Sequence, residues 1–162
     1  VNAAIGSTAH SVKLTSAGYI TQSGSGIINA LALSGSSVGN TTLTASNNIA
    51  GLSGFTVSAG NFTLYDAQAL SVSGTENLLS ATATLALKTI AGDLSLNGIL
   101  NAATVTFVTA GEAKQTSSSA ITTNLINVTA KTGINLVGAN HIQAVGTRST
   151  TSGPNVINGI GM

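Results

Sequence analysis

Cysteine is absent from this 162-residue chain, which excludes disulfides and thiolate metal ligands outright. Charge is almost absent too. Asp, Glu, Lys and Arg make up 6% of the residues and the net charge is +1, against roughly 25% charged residues in an ordinary soluble domain. So neutral a chain offers no basic patch for nucleic acid. Aromatic residues reach 3%, with two Tyr, three Phe and no Trp, too few for the aromatic girdles of an outer-membrane barrel. Long apolar runs are missing as well. Leu31-Ala32-Leu33 and Ile99-Leu100 break within a few residues at Ser, Asn or Gly, far short of the about 20 residues a membrane helix needs. The start, Val1-Asn2-Ala3-Ala4-Ile5, has no Met, basic cluster or apolar stretch, as expected of a chain processed or cut from something longer.

What is there is small and weakly polar. Hydrophobic residues make up 43%, Gly contributes 19 positions, and mean hydropathy is +0.41. Disordered chains combine low hydropathy with high net charge, and neither holds here. The apolar residues come in short alternating groups, which reads as short half-buried strands. No stretch keeps a 3.6-residue period, so helix is expected only as a short cap.

Aligned on itself, the chain matches at one long separation. VKLTSAGYITQ, residues 12–22, lies against VTFVTAGEAKQ, residues 105–115, a shift of 93. The same shift sets Leu43–Leu52 against Leu136–Val145, with Asn47 on Asn140 and Asn48 on His141. Apolar-x-apolar triplets begin at Val12, Leu31, Phe55, Leu70, Leu85, Val105 and Ile126. Five steps join Val12 to Val105, so the expected period is about 19 residues. Second alternating pieces (Asn61–Leu64, Asp93–Leu96, Gly133–Leu136) fill each period, and Ala-Gly, Ser-Gly, Thr-Gly or Asn-Gly pairs mark the joins. Gly at a corner permits the positive φ that tight turns often require.

A strand of three to five residues cannot bury an apolar face alone. Stacked at about 4.8 Å on its equivalents in neighbouring coils, it gains a ladder on both sides and a continuous interior. The pattern therefore predicts an all-β fold, a right-handed parallel β-helix of about seven to eight coils with ~19 residues each. Residues 12–145 carry the repeats, 1–11 form a possible N-terminal strand or cap, and 146–162 an irregular tail or cap broken at Gly153-Pro154. A β-sandwich would not explain the 93-residue match, and the Gly-rich calcium motifs of a β-roll are absent.

Several of these pieces resemble the repeats of filamentous-haemagglutinin-like exoproteins, large bacterial adhesins exported by two-partner secretion. The resemblance is carried by Ala17–Gln22, Leu43–Leu52, Asn61–Leu70 and Leu94–Gly98 and spans roughly residues 12–145. It implies a right-handed β-helix at the cell surface or outside the cell, with an adhesive or structural role. The partners implied are host or neighbouring-cell surface molecules, or copies of the chain itself.

Catalytic chemistry finds little to use. Polysaccharide-cleaving β-helices need clustered acids and bases, whereas Asp66 and Asp93 stand 27 residues apart and are expected on different sides. Asp66, Glu76, Asp93 and Glu112 read as isolated solvated charges at corners. His10 and His141 are too distant to share a metal. No catalytic, cofactor or metal residue is nominated, no cofactor is expected, and the chain reads as a non-enzyme. Sequons at Asn40, Asn61 and Asn127 are those that so much Asn and Thr would supply by chance. Asn47, Asn48 and Asn140 are expected to cap corners or stack as amides. Two functions fit: a shaft segment of a large exported adhesin, and a self-assembling subunit of an extracellular filament, sheath or surface layer.

Overall fold

The computed structural model describes residues 1–161. Among them are seventeen strands and no helix, and every strand pairing is parallel. The strands wind into a β-solenoid of about seven turns with a spacing of about 21 residues. At about 4.8 Å per turn the stack is ~34 Å long. Every coil supplies segments to three ladders, A, B and C, visited in that order.

Ladder A shows how the sequence fixes the register. Ile20, Thr41, Phe62, Leu85, Val105, Ile126 and Val145 stack as successive partners. All but the last are buried, and all but Thr41 are apolar. Thr41 is tolerated because its hydroxyl meets that of Ser37 at 2.8 Å. Ladder B repeats the arrangement with Leu33, Leu52, Val72 and Leu96, each fully buried. Ladder C carries the outward polar column that alternation requires: Thr15, Ser36, Thr56, Asn77, Asn101, Thr122 and His141. Slipping any strand by one residue would exchange the two sets, and this specifies the register strongly.

The segments that the sequence sets apart from the repeats join the same ladders. Ile5–Ser7 pairs with Ile28–Ala30, and Asn155–Ile157 pairs with Ile134–Leu136. Gly153, with φ +78°, and Pro154 form the turn between the last two strands rather than the end of the coil.

The period differs from the expected 19, for a geometrical reason. The triplets that suggested it sit on different ladders: Val12-Lys-Leu14 leads into C, Leu70-Ser-Val72 lies in B and Val105-Thr-Phe107 in A. Following the ladder itself, Val12 reaches Gln115 in five steps through Leu33, Leu52, Val72 and Leu96. That is about 21 residues per step. The 93-residue match is thus a screw operation, four coils along the axis plus one face around it. It carries C onto A at Leu14/Phe107, and A onto B at Leu43/Leu136.

Two glycines show how tightly the coils close at the B-to-C corner. Gly74 has φ +88°, a conformation that side chains resist. Below it in the next coil, a Cβ on Gly98 would come within 2.2 Å of the Gly74 carbonyl oxygen.

Candidate functional site

The corners of the solenoid are where the sequence does its most specific chemistry. At a corner the inter-coil ladder is interrupted, and the freed N–H groups need another acceptor. Side-chain oxygens supply it. Asn40 Oδ1 accepts from Asn61 N–H (2.9 Å) and Asn61 Oδ1 from Thr84 N–H (2.8 Å), while at the bulge in ladder A Asn127 Oδ1 accepts from Thr147 N–H (2.8 Å). The three sequon asparagines therefore have structural work in the ladder.

Asn47 and Asn140 do the same from inside, as the sequence suggested for corner residues. Both are buried, and each is clasped by a glutamine from the preceding coil. Asn47 Oδ1 accepts from Ile28 N–H (2.9 Å) and from Gln22 Nε2 (2.5 Å), while Gln22 Oε1 accepts from Ala45 N–H (2.9 Å). Asn140 Oδ1 accepts from Ile121 N–H (3.0 Å) and from Gln115 Nε2 (2.8 Å), while Gln115 Oε1 accepts from Gly138 N–H (3.1 Å). Every member of the second set is its counterpart plus 93. Asn48 is half-buried and joins the backbone ladder opposite Asn29.

Two carboxyls overturn the reading of the acids as solvated corner charges. Asp66 and Glu76 are 0% and 1% exposed. Asp66 stacks beneath Asn47 in the same inward column, and its Oδ1 accepts from Ile49 N–H at 3.2 Å. Its Oδ2 is buried without a hydrogen-bond partner among the described residues. Glu76 accepts from Gly54 N–H (2.9 Å) and Phe55 N–H (2.6 Å), bridging the break where Gly54 adopts φ +92°. Burial pushes both carboxyls up to about 7, against the opposing pull of those backbone N–H groups. Periodicity missed them because an acid in an inward column breaks the apolar rule. The available signal was position: each falls where alternation calls for an inward residue beside a corner.

Asp93 faces outward. Its carboxylate accepts from Lys114 Nζ at 2.5 Å and from Glu112 N–H at 2.9 Å. The lysine contact, foremost, holds Asp93 below the usual carboxylate range, and Asp93 in turn raises Lys114. This pair borders a groove of about 420 Å3 on ladder B, lined by Ser71, Ser95, Lys114 and Asn135 from four successive coils and by Asn97 and Glu112. Asn97 Nδ2 reaches across one coil to Ser71 Oγ at 2.9 Å. Here the acid is ionised and the lysine protonated, a stable ion pair rather than a proton-transfer couple.

A second groove of about 420 Å3 lies at the C-to-A corner. Its wall holds Asn101, Asn124, His141 and Gln143, and its lip is Leu79, 60% exposed. No Asp, Glu, Lys or Arg lines it. His10, near the opposite end, is exposed, with its Nδ1 2.8 Å from Ser7 Oγ. The two histidines are not brought together. Among the described residues no cluster of three or more His, Cys, Asp or Glu could hold a metal ion.

No family model, curated protein or solved structure matches this chain.

Chemically, the surface therefore divides in two. One groove is fixed by an ion pair. The other presents amide, imidazole and hydroxyl groups, with no Asp, Glu, Lys or Arg among them. The two carboxyls whose affinity for protons is close to neutral pH are both enclosed by the coil. Among the described residues no helix is long and apolar enough to cross a membrane.

Proposed function

We propose that the chain is a rigid shaft segment of an exported bacterial surface protein of the filamentous-haemagglutinin-like kind, adhesive or structural rather than catalytic. The observation that carries this reading is the split between interior and flank. The carboxyls with near-neutral proton affinity lie inside the coil, out of reach of a substrate. The flank offers in-register Ser, Thr and Asn from Thr15 to Thr122. Stacked uncharged columns avoid like-charge repulsion between rungs and suit an extended contact surface better than a point of chemistry. The extracellular location and the surface-molecule partners belong to the same proposal.

The test is to couple the purified chain to fluorescent beads and count their attachment to bacterial and host cells, with albumin-coated beads as reference. Attachment clearly above the reference supports adhesion. Attachment equal to the reference, together with hydrolysis of any glycan in a plate screen, would replace the reading with an enzymatic one.

Self-assembly into a filament or sheath is the second reading, favoured by the two end rungs. Val12 and Leu14 in the first are only partly buried, and Val156 and Ile160 in the last are 45% and 44% exposed. Unpaired strand edges of this kind template further strands. Sedimentation velocity distinguishes the two: growth in size with concentration supports assembly, and a constant monomer argues against it.

A further inference from the structure

We propose that the groove at the C-to-A corner binds an extended, neutral, β-linked glycan chain lying along the solenoid axis. The proposal deepens the adhesive reading of the flank, on which it rests, by giving it a ligand class and an address.

The groove exists because the corner changes length along the rod. One coil turns from C to A through Leu79–Ala83, and the next through only Ala102 and Ala103. In the two coils after that there is no break at all: Ala120–Ala130 and His141–Thr150 run through the corner as single strands. The long turn stands out as a ledge over three tight corners, with Leu79 at its edge. Side chains beneath it come from consecutive rungs in register. Asn101 pairs with Thr122, and Thr122 with His141, so like positions recur every ~4.8 Å. A sugar unit in an extended β-linked chain advances by close to the same distance, so one unit can face one coil.

The chemistry of the lining selects the ligand. Amides such as Gln22, Asn47, Asn61, Gln115, Asn127 and Asn140 bond to backbone N–H groups or to each other, at corners or at the bulge in ladder A. In the groove the side chains of Asn101, Asn124, Gln143 and His141 make no hydrogen bond among the described residues, although four polar groups converge there. Amides both donate and accept, which matches hydroxyl groups, and the Leu79 and Ala81 side chains give the carbon face of a pyranose something to lie on. With no Asp, Glu, Lys or Arg in the lining, sulfated or uronic glycans find no lysine or arginine to pair with there. A small cluster of polar groups on a partly apolar concave surface is the usual anatomy of a ligand site. The groove holds no aromatic platform, so a single chain binds weakly and tight attachment comes from many contacts.

The test is a titration of the 15N-labelled chain, followed by amide shifts, with hexamers of β-1,4-glucan, β-1,3-glucan and β-1,4-linked N-acetylglucosamine, and with a heparin hexasaccharide as the charged comparator. Shifts confined to the amides of residues 79–81, 101–103, 122–124 and 141–143 with at least one neutral hexamer are expected. Asn101→Ala and Gln143→Ala should each weaken that binding by about fivefold, the effect of one neutral hydrogen bond. Lys114→Ala, in the other groove, should leave it unchanged, and thermal melts establish that all three variants fold. Absence of shifts with all three neutral hexamers, shifts elsewhere, or equal shifts with heparin would overturn the site. Such a failure leaves bead attachment intact. Loss of bead attachment with the shifts present removes the adhesive reading instead.

Discussion

Gln115 and Asn140, 25 residues apart and one coil removed, face each other amide to amide: Gln115 Nε2 donates to Asn140 Oδ1 at 2.8 Å, and Asn140 Nδ2 donates to Gln115 Oε1 at 3.0 Å. Gln22 and Asn47 make the same pair at the equivalent corner. Asn140→Ala would strand the N–H of Ile121 and one face of Gln115 in the interior. Each buried group left unsatisfied costs about 1–3 kcal/mol, so a loss of about 3 kcal/mol is expected, read as a lower urea midpoint. Removing both partners, Gln115→Leu with Asn140→Leu, should cost less than the sum of the single changes.

The pair also shows what the sequence made legible and what it did not. The solenoid, its parallel strands and the corner role of Asn47 and Asn140 were readable, because alternation and punctuation are local properties. The period was not. The strongest self-match joins Gln22 to Gln115 and Asn47 to Asn140 through a rotation of one face, and a linear alignment cannot distinguish that from a whole number of coils. Nor could alternation foresee Asp66 and Glu76, whose place is justified by backbone N–H groups contributed from an earlier coil. The corner groove was equally invisible, since it depends on a long turn lying over shorter ones.

Asp66 and Glu76 make stability depend on pH. Their folded values, about 7, lie above the ordinary 3.8 and 4.5, so between about pH 4 and 7 the folded chain holds protons that the unfolded chain releases. Stability is then fully present at the acid end and falls as pH rises through that window, by on the order of 3–4 kcal/mol per carboxyl. Urea midpoints at pH 4 and pH 8 measure it, and the lower midpoint is expected at pH 8.

The two carboxyls should respond oppositely to amides. Asp66→Asn removes a charge whose Oδ2 has no partner among the described residues, so the variant gains stability at pH 8 and loses part of the pH slope. Glu76→Gln turns an NH2 group toward the N–H of Gly54 or Phe55, both of which now meet oxygen. That variant should lose about 1–3 kcal/mol at pH 5. Thermal melts of the two proteins across pH 4–8 separate the effects.

Gly98→Ala should be poorly tolerated. The added Cβ falls 2.2 Å from the carbonyl oxygen of Gly74 and 2.7 Å from its nitrogen, atoms of a backbone that cannot rotate away. A loss of at least about 2 kcal/mol is expected, against almost none for Gly24→Ala, whose Cβ meets nothing within 4 Å.

The Lys114–Asp93 pair is conspicuous yet should contribute little. Both side chains are more than a third exposed, and such pairs contribute about 0–1 kcal/mol, screened by salt. Lys114→Ala should shift the urea midpoint barely, and not at all in 1 M NaCl.

The solenoid of about 21 residues per coil is tested most directly by proton–proton NOEs at Val105. The structure expects parallel-sheet contacts from its backbone to Leu85 on one side and to Ile126 on the other. Contacts to residues 86 and 124, as a 19-residue coil demands, or an antiparallel pattern to either neighbour, would contradict it.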